Sequence, residues 1–166
     1  TTFALYKAAR ASLPGLRVVQ YQGPFNFSAI NNTAARYATG QHLLLLNNDV
    51  EFTSPDSIRE MLSYSQRPDV GAVGAKLLYP DGTVQHAGVI IGLGGSAGHS
   101  HKGHPANSAG DMYRLATAQN FSAVTGACLM VKKSLYDALG GLDETNFAVA
   151  YNDVDFCLRL RAQGYV

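Results

Sequence analysis

Apolar and polar positions along this chain alternate between two periods, one that fits helices and one that fits buried strands. Phe3, Leu5, Tyr6, Ala9 and Leu13 share one helical face at the start, and Pro14-Gly15 turns the chain. Residues 16–21, with β-branched Val18 and Val19 at their centre, read as a short strand, ended by Gly23-Pro24. A helix is predicted over residues 28–39, with Ile30, Ala34, Ala35 and Ala38 facing inward and Gly40 as its stop. Residues 42–46 are continuously apolar, as expected of a strand covered on both faces. Thr53-Ser54-Pro55 then supplies a cap and a first-turn proline for a helix over residues 56–65. Further strands are predicted over residues 70–78, over residues 83–91 after the turn signal Pro80-Asp81-Gly82, and over residues 121–131. Residues 92–110, rich in Gly, Ser and His, read as a long loop, and loops of that length are usually functional or mobile. A short helix over residues 134–139 stops at Gly140-Gly141, and an amphipathic helix is predicted over residues 153–163. Buried strands interleaved with helices indicate an α/β sheet with helices on its faces.

Composition adds limits. The 166 residues are enough for one domain with a real core, and no internal repeat or second domain is visible. A formal charge of +1 gives no electrostatic reason to expect nucleic acid as a partner. The longest apolar runs are too short to cross a bilayer. Cys128 and Cys157 sit in apolar stretches and read as buried, reduced thiols, which favours a cytoplasmic setting; a membrane anchor, if one exists, belongs elsewhere in a longer protein. Both ends read as cut: the chain begins without methionine inside a helix and stops where a strand is starting, so an excised fragment is expected.

Two stretches carry candidate chemistry. In Leu46-Asn47-Asn48-Asp49-Val50-Glu51, a buried strand ends in oxygen-bearing side chains, and ligands of open α/β sheets bind at the carboxyl ends of strands. Such oxygens suit Mg²⁺ or Mn²⁺, with Asp49 the ligand. The same residues also serve simply to turn a chain. In Tyr151-Asn152-Asp153-Val154-Asp155, two carboxylates open a helix, which the helix dipole alone explains. Asp155 is expected in that structural role, and Glu51 as a solvated charge. His86, His99, His101 and His104 resemble zinc spacing, but a closed zinc site needs about four ligands and no cysteine lies near, so a loop role is favoured. Tyr113 and Phe121 fit either an acceptor surface or core packing.

The ordered combination is more specific than any part. Phe25-Asn26-Phe27-Ser28-Ala29-Ile30-Asn31-Asn32, the Asn47-Asn48-Asp49 strand end, Thr125-Gly126-Ala127, Gly140-Gly141-Leu142-Asp143-Glu144 and Asn152-Asp153-x-Asp155 together resemble the family 2 glycosyltransferases, especially bacterial rhamnosyl- and O-antigen-type transferases. The resemblance spans about residues 25–165. It implies the GT-A fold, with a mostly parallel central sheet and helices on both faces, and a nucleotide-sugar donor. The acceptor it implies is a glycan or lipid-linked sugar. Asp49 matches the last aspartate of the metal motif that holds the cation on the donor diphosphate. Asn47 stands where many relatives carry the first aspartate, which removes one negative charge. Asp153 matches the catalytic base of inverting relatives, and Asn152 occupies a position often held by glutamate. Asn32 matches an asparagine near the nucleotide, and Gly126-Ala127 a segment bordering the acceptor. The expectation is an inverting sugar transferase of polysaccharide or glycoconjugate synthesis. The alternatives are a sugar nucleotidyltransferase, disfavoured by the lack of a glycine-rich basic phosphate loop, and a non-catalytic nucleotide- or carbohydrate-binding domain.

Overall fold

The computed structural model describes residues 2–166. Its centre is a three-stranded sheet in the order β1, β7, β2, where β1 is His42–Leu46, β2 is Ala72–Gly74 and β7 is Cys128–Lys132. Both pairings are antiparallel: Leu46 stands opposite Cys128 and His42 opposite Lys132, while Val73 stands opposite Met130. The mostly parallel sheet expected from the sequence is therefore corrected, because β7 inserts between β1 and β2 and runs against both. The continuous apolar runs report burial on two faces, and burial does not fix strand direction.

Alternation along the strands divides the core. Leu43, Leu45, Leu129 and Val131 pack on one face with Ala35 of helix α2 (Phe27–Ala35), Tyr136 of α4 (Lys133–Ala138), and Phe156, Cys157 and Leu160 of α5 (Asn152–Ala162). Cys128 and Met130 point the other way, to Met61 of α3 (Ser57–Ser65) and to Leu77. Helices thus cover both faces. The two cysteines are free and lie on opposite faces of the sheet, and burial pushes the Cys157 thiol up to about 12. Phe156 is fully buried; an aromatic of that kind contributes about 1.5–3 kcal/mol by leaving water.

Around this centre the predicted elements are altered by pairing. Residues 70–78 divide into β2 and β3 (Leu77–Leu78), and β3 forms a hairpin with β4 (Val84–His86) across a turn in which the Asp81 carboxylate accepts the Thr83 N–H and hydroxyl. Gly88, at φ +100°, separates β4 from β5 (Val89–Ile91); a Cβ there would fall 2.2 Å from the Phe121 ring. The expected long loop contains β6 (Ala97–His99), which pairs antiparallel with β5. Of the strand expected over residues 121–131, only the second half is regular; Ala123 forms an isolated bridge with Val89. Helix α1 (Thr2–Ser12) forms as predicted, yet Leu5 and Leu13 are exposed. Residues 16–21 form no strand: Val18 and Val19 are exposed and no neighbouring strand satisfies their backbone.

Candidate active site

The carboxyl end of β1 and the amino end of β7 lie at the same edge of the sheet, and residues 125–127 bend around it. The Asn47 N–H donates to the Ala127 carbonyl at 2.9 Å, extending the β1–β7 ladder one step past Leu46. Asn48 and Asp49 are then exposed in a turn closed by the Val50 N–H on the Asn47 carbonyl, 3.4 Å. From the other side, the buried Gly126 N–H donates to Asp153 Oδ2 at 2.8 Å. The remaining oxygen, Oδ1, accepts the Val154 N–H at 2.8 Å. Asp153 and the β1 terminus are thus tied to adjacent residues of one bend, which brings Asp49 and Asp153, distant in the chain, to one edge. Thr125 Oγ1 accepts the Ala127 N–H at 3.3 Å and tightens that bend.

Asp153 sits in the first turn of α5, where its charge complements the helix dipole. The preceding Tyr151 has φ +61°, an uncommon left-handed conformation for a bulky residue, and its hydroxyl lies 3.0 Å from Ser96 Oγ. Asn152 is buried and donates to the Phe147 carbonyl at 3.3 Å. Asp155 is drawn to Arg159 at 2.9 Å, whose other nitrogens donate to the Leu139 and Gly141 carbonyls. Glu51 is exposed.

The loop that delivers Asp153 is fastened to α2. Asn26 caps that helix by accepting the Ala29 N–H at 2.8 Å and donates to the Glu144 carbonyl. Ser28, fully buried, donates to the Phe147 carbonyl at 2.6 Å. The Asn32 amide is committed on both ends. Its nitrogen donates to the Leu142 carbonyl and Glu144 carboxylate, and its oxygen accepts the Tyr136 hydroxyl at 2.6 Å and the Leu142 N–H at 2.9 Å. Asn32, expected beside the nucleotide, thus spends its bonds on the protein.

Four of the five histidines form two pairs. His101 and His104 meet edge-on, with ring centres 5.2 Å apart. His86, 1% exposed, approaches His99 with the two Nδ1 atoms 2.7 Å apart. Its other nitrogen accepts the N–H groups of Gly88 at 3.2 Å and of Thr125 at 3.3 Å, so it reaches the active-site bend. Sequence reasoning grouped this residue with the loop histidines and did not connect it with residues 125–127; the alternation of buried Val84, exposed Gln85 and buried His86 was the available signal. Burial, and secondarily neighbouring His99, push His86 down to about 3 from the ordinary 6.5. The fold accommodates the neutral ring while the unfolded chain takes a proton near 6.5. The stabilisation is therefore complete above that pH and is lost as pH falls towards 3. Urea denaturation is expected to show about 2 kcal/mol less stability at pH 5 than at pH 7 from this group, a difference absent in His86→Gln.

Across residues 1–166 the sequence matches the glycosyltransferase-like family 2, and the chain belongs to that family. Membership implies the GT-A fold. The chain is 53% identical over 150 residues to an uncharacterized protein, y4gI, of Sinorhizobium fredii, covering 90% of this chain and 16% of that protein. It is 45% identical over 152 residues to the O-antigen biosynthesis protein RfbC of Myxococcus xanthus, covering 91% of this chain and 12% of the relative. It is 25% identical over 157 residues to the low-salt glycan biosynthesis hexosyltransferase Agl10 of Haloferax volcanii, covering 85% and 45% respectively. The chain therefore spans less than half the length of these curated relatives. Among the described residues, no helix is long and apolar enough to cross a membrane.

Proposed function

We propose that residues 1–166 are one piece of the catalytic domain of an inverting glycosyltransferase, which moves a sugar from a nucleotide-sugar donor to a hydroxyl of a growing polysaccharide or glycoconjugate. The observation that carries the reading is the shared bend: Asn47 on Ala127 and Asp153 on Gly126 bring the strand-end aspartate and the helix-start aspartate to one edge. Family membership and the O-antigen and glycan biosynthesis names of two relatives support it.

In this reading Asp153 accepts the proton of the acceptor hydroxyl while that oxygen bonds to the anomeric carbon. The bond from the anomeric carbon to the phosphate oxygen breaks, the nucleoside diphosphate leaves with the electron pair, and the configuration inverts. Gly126 holds one carboxylate oxygen of Asp153 and thereby orients the base. Gly126 and Ala127 border the acceptor, and Asn152, through Phe147, fixes the start of α5. Asn32 acts by holding the segment that leads to Asp153.

Among the described residues no three His, Cys, Asp or Glu side chains form a group that would enclose a metal. Asp49 offers one exposed carboxylate beside the amide and carbonyl oxygens of Asn47. That donor set fits Mg²⁺ or Mn²⁺, which keep water and take further oxygens from substrate phosphates. A cation bound there supplies charge neutralisation for the departing diphosphate. Asp49→Ala is expected to raise the Mn²⁺ concentration for half-maximal activity at least ~10-fold, since one of one or two protein carboxylates is lost; an unchanged metal titration removes Asp49 from this role. Full-length protein assayed against UDP-, GDP- and dTDP-sugars tests the function itself: release of nucleoside diphosphate supports transfer, and release of pyrophosphate from a sugar phosphate and a nucleoside triphosphate rejects it. A cytoplasmic location, at the inner face of the membrane, belongs to the same reading.

A further inference from the structure

His86 is buried on β4 beside the active-site bend, and its bonding partners fix where its proton sits. Backbone N–H groups only donate, and two of them, from Gly88 and Thr125, point at Nε2. Nε2 is therefore unprotonated. In the neutral ring the proton lies on Nδ1, which donates across 2.7 Å to Nδ1 of His99 on β6. His99 in turn keeps its proton on Nε2. The backbone donors set the tautomer of His86, His86 sets that of His99, and the pair joins the β5–β6 hairpin to residue 125.

Residue 125 begins the bend whose next residue grips Asp153 and whose third holds the end of β1. Two donors converge on one buried nitrogen, so a proton at that nitrogen opposes both. We propose that His86 is a positioning residue for sugar transfer: in the Nδ1–H tautomer, with His99 accepting that proton's hydrogen bond, it holds Thr125, and through Gly126 it fixes the Asp153 carboxylate. The proposal rests on the reading of Asp153 as the base. The chain of bonds runs from His99 through His86, Thr125 and Gly126 to Asp153. None of its first three members touches the substrate.

Half-buried His99 is the place to test it, since changes there put folding at less risk than changes at His86. Asn at position 99 places an amide oxygen close to where Nδ1 lies and preserves the acceptor, whereas Leu removes it and strands the buried His86 Nδ1–H, so the ring loses the partner that holds it toward Thr125. In full-length protein, with the UDP-, GDP- or dTDP-sugar that gives the fastest diphosphate release, His99→Asn is expected within about 3-fold of wild-type kcat. His99→Leu is expected to lose about 10- to 100-fold in kcat with donor KM within about 3-fold, the pattern of a misplaced reacting group. Equal losses in both variants, or none in His99→Leu, overturn the proposal. Nitrogen-15 spectra of histidine-labelled protein, with His86 assigned by its loss in His86→Gln, give a readout independent of turnover. Protonated Nδ1 and bare Nε2 are expected at His86 in wild type and in His99→Asn, and the opposite tautomer in wild type overturns the proposal. An Asp153→Asn control separates the two readings. Retained transfer in that variant rejects the base, while loss there with an unaffected His99→Leu rejects only the positioning role.

Discussion

Asp153→Asn is expected to bind the nucleotide-sugar donor at near wild-type affinity and to lose transfer by about 10²–10⁴-fold, the usual worth of a positioned general base. The substitution is nearly isosteric. The amide oxygen still accepts the Gly126 N–H that Oδ2 accepts at 2.8 Å, so the bend keeps its tie to α5. What disappears is the capacity to take a proton, together with the local bond from the neighbouring Val154 N–H to Oδ1. A loss confined to kcat, with donor binding measured separately by calorimetry, is the signature of an interaction made only in the transition state. If the variant keeps most of its turnover, Asp153 is a helix-start residue and the base is elsewhere.

Asn32→Ala is expected to lower stability by about 3 kcal/mol or more, measured by urea unfolding, because it strands buried partners without replacing them. The Tyr136 hydroxyl, whose ring is 2% exposed, loses its acceptor, as does the Leu142 N–H, and the carbonyl of Leu142 loses its donor. Burial holds Tyr136 up at about 12, so its hydroxyl remains a proton donor at every working pH and its need for an acceptor persists. Gly141→Ala attacks the same tie from the other side. A Cβ there would lie 2.3 Å from Asn32 Oδ1, on a residue at φ +75° that side chains rarely adopt. The two changes are expected to be less than additive, because removing the Asn32 amide also removes the clash. Strict additivity would mean that Gly141 acts through its backbone conformation alone. Activity is expected to fall in Asn32→Ala beyond what lost stability explains, since residues 141–148 lead directly into α5.

Much of the element pattern was legible along the chain because it is set locally. Residues 42–46 form β1 with the expected bounds; the helices α3, α4 and α5 fall within a residue or so of their predicted limits, guided by local signals such as the Thr53-Ser54-Pro55 start and the Gly140-Gly141 stop. Strands elsewhere were less legible because pairing decides them. Residues 16–21, with β-branched Val18 and Val19, have the right propensity and no partner, while Ala97, Gly98 and His99 have poor propensity and become β6 because β5 is beside them. Strand direction was equally hidden, since a run buried on both faces looks the same in either orientation.

For the candidate site, the sequence by itself determined which groups are available: Asp49 after an apolar strand, Asp153 in the first turn of a helix, and a small-residue bend at Gly126-Ala127 whose backbone a partner can approach closely. Only the tertiary structure decided which of these meet and which polar groups are already spent. It brings the two aspartates to one edge through hydrogen bonds to adjacent residues, commits the amide of Asn32 to its own protein, and makes His86 a buried acceptor for the bend. The physical reason is that a local pattern fixes a side chain's face and charge, whereas a hydrogen bond requires two groups within about 3 Å, and sequence separations of 27 to 112 residues are closed here only by the packed core.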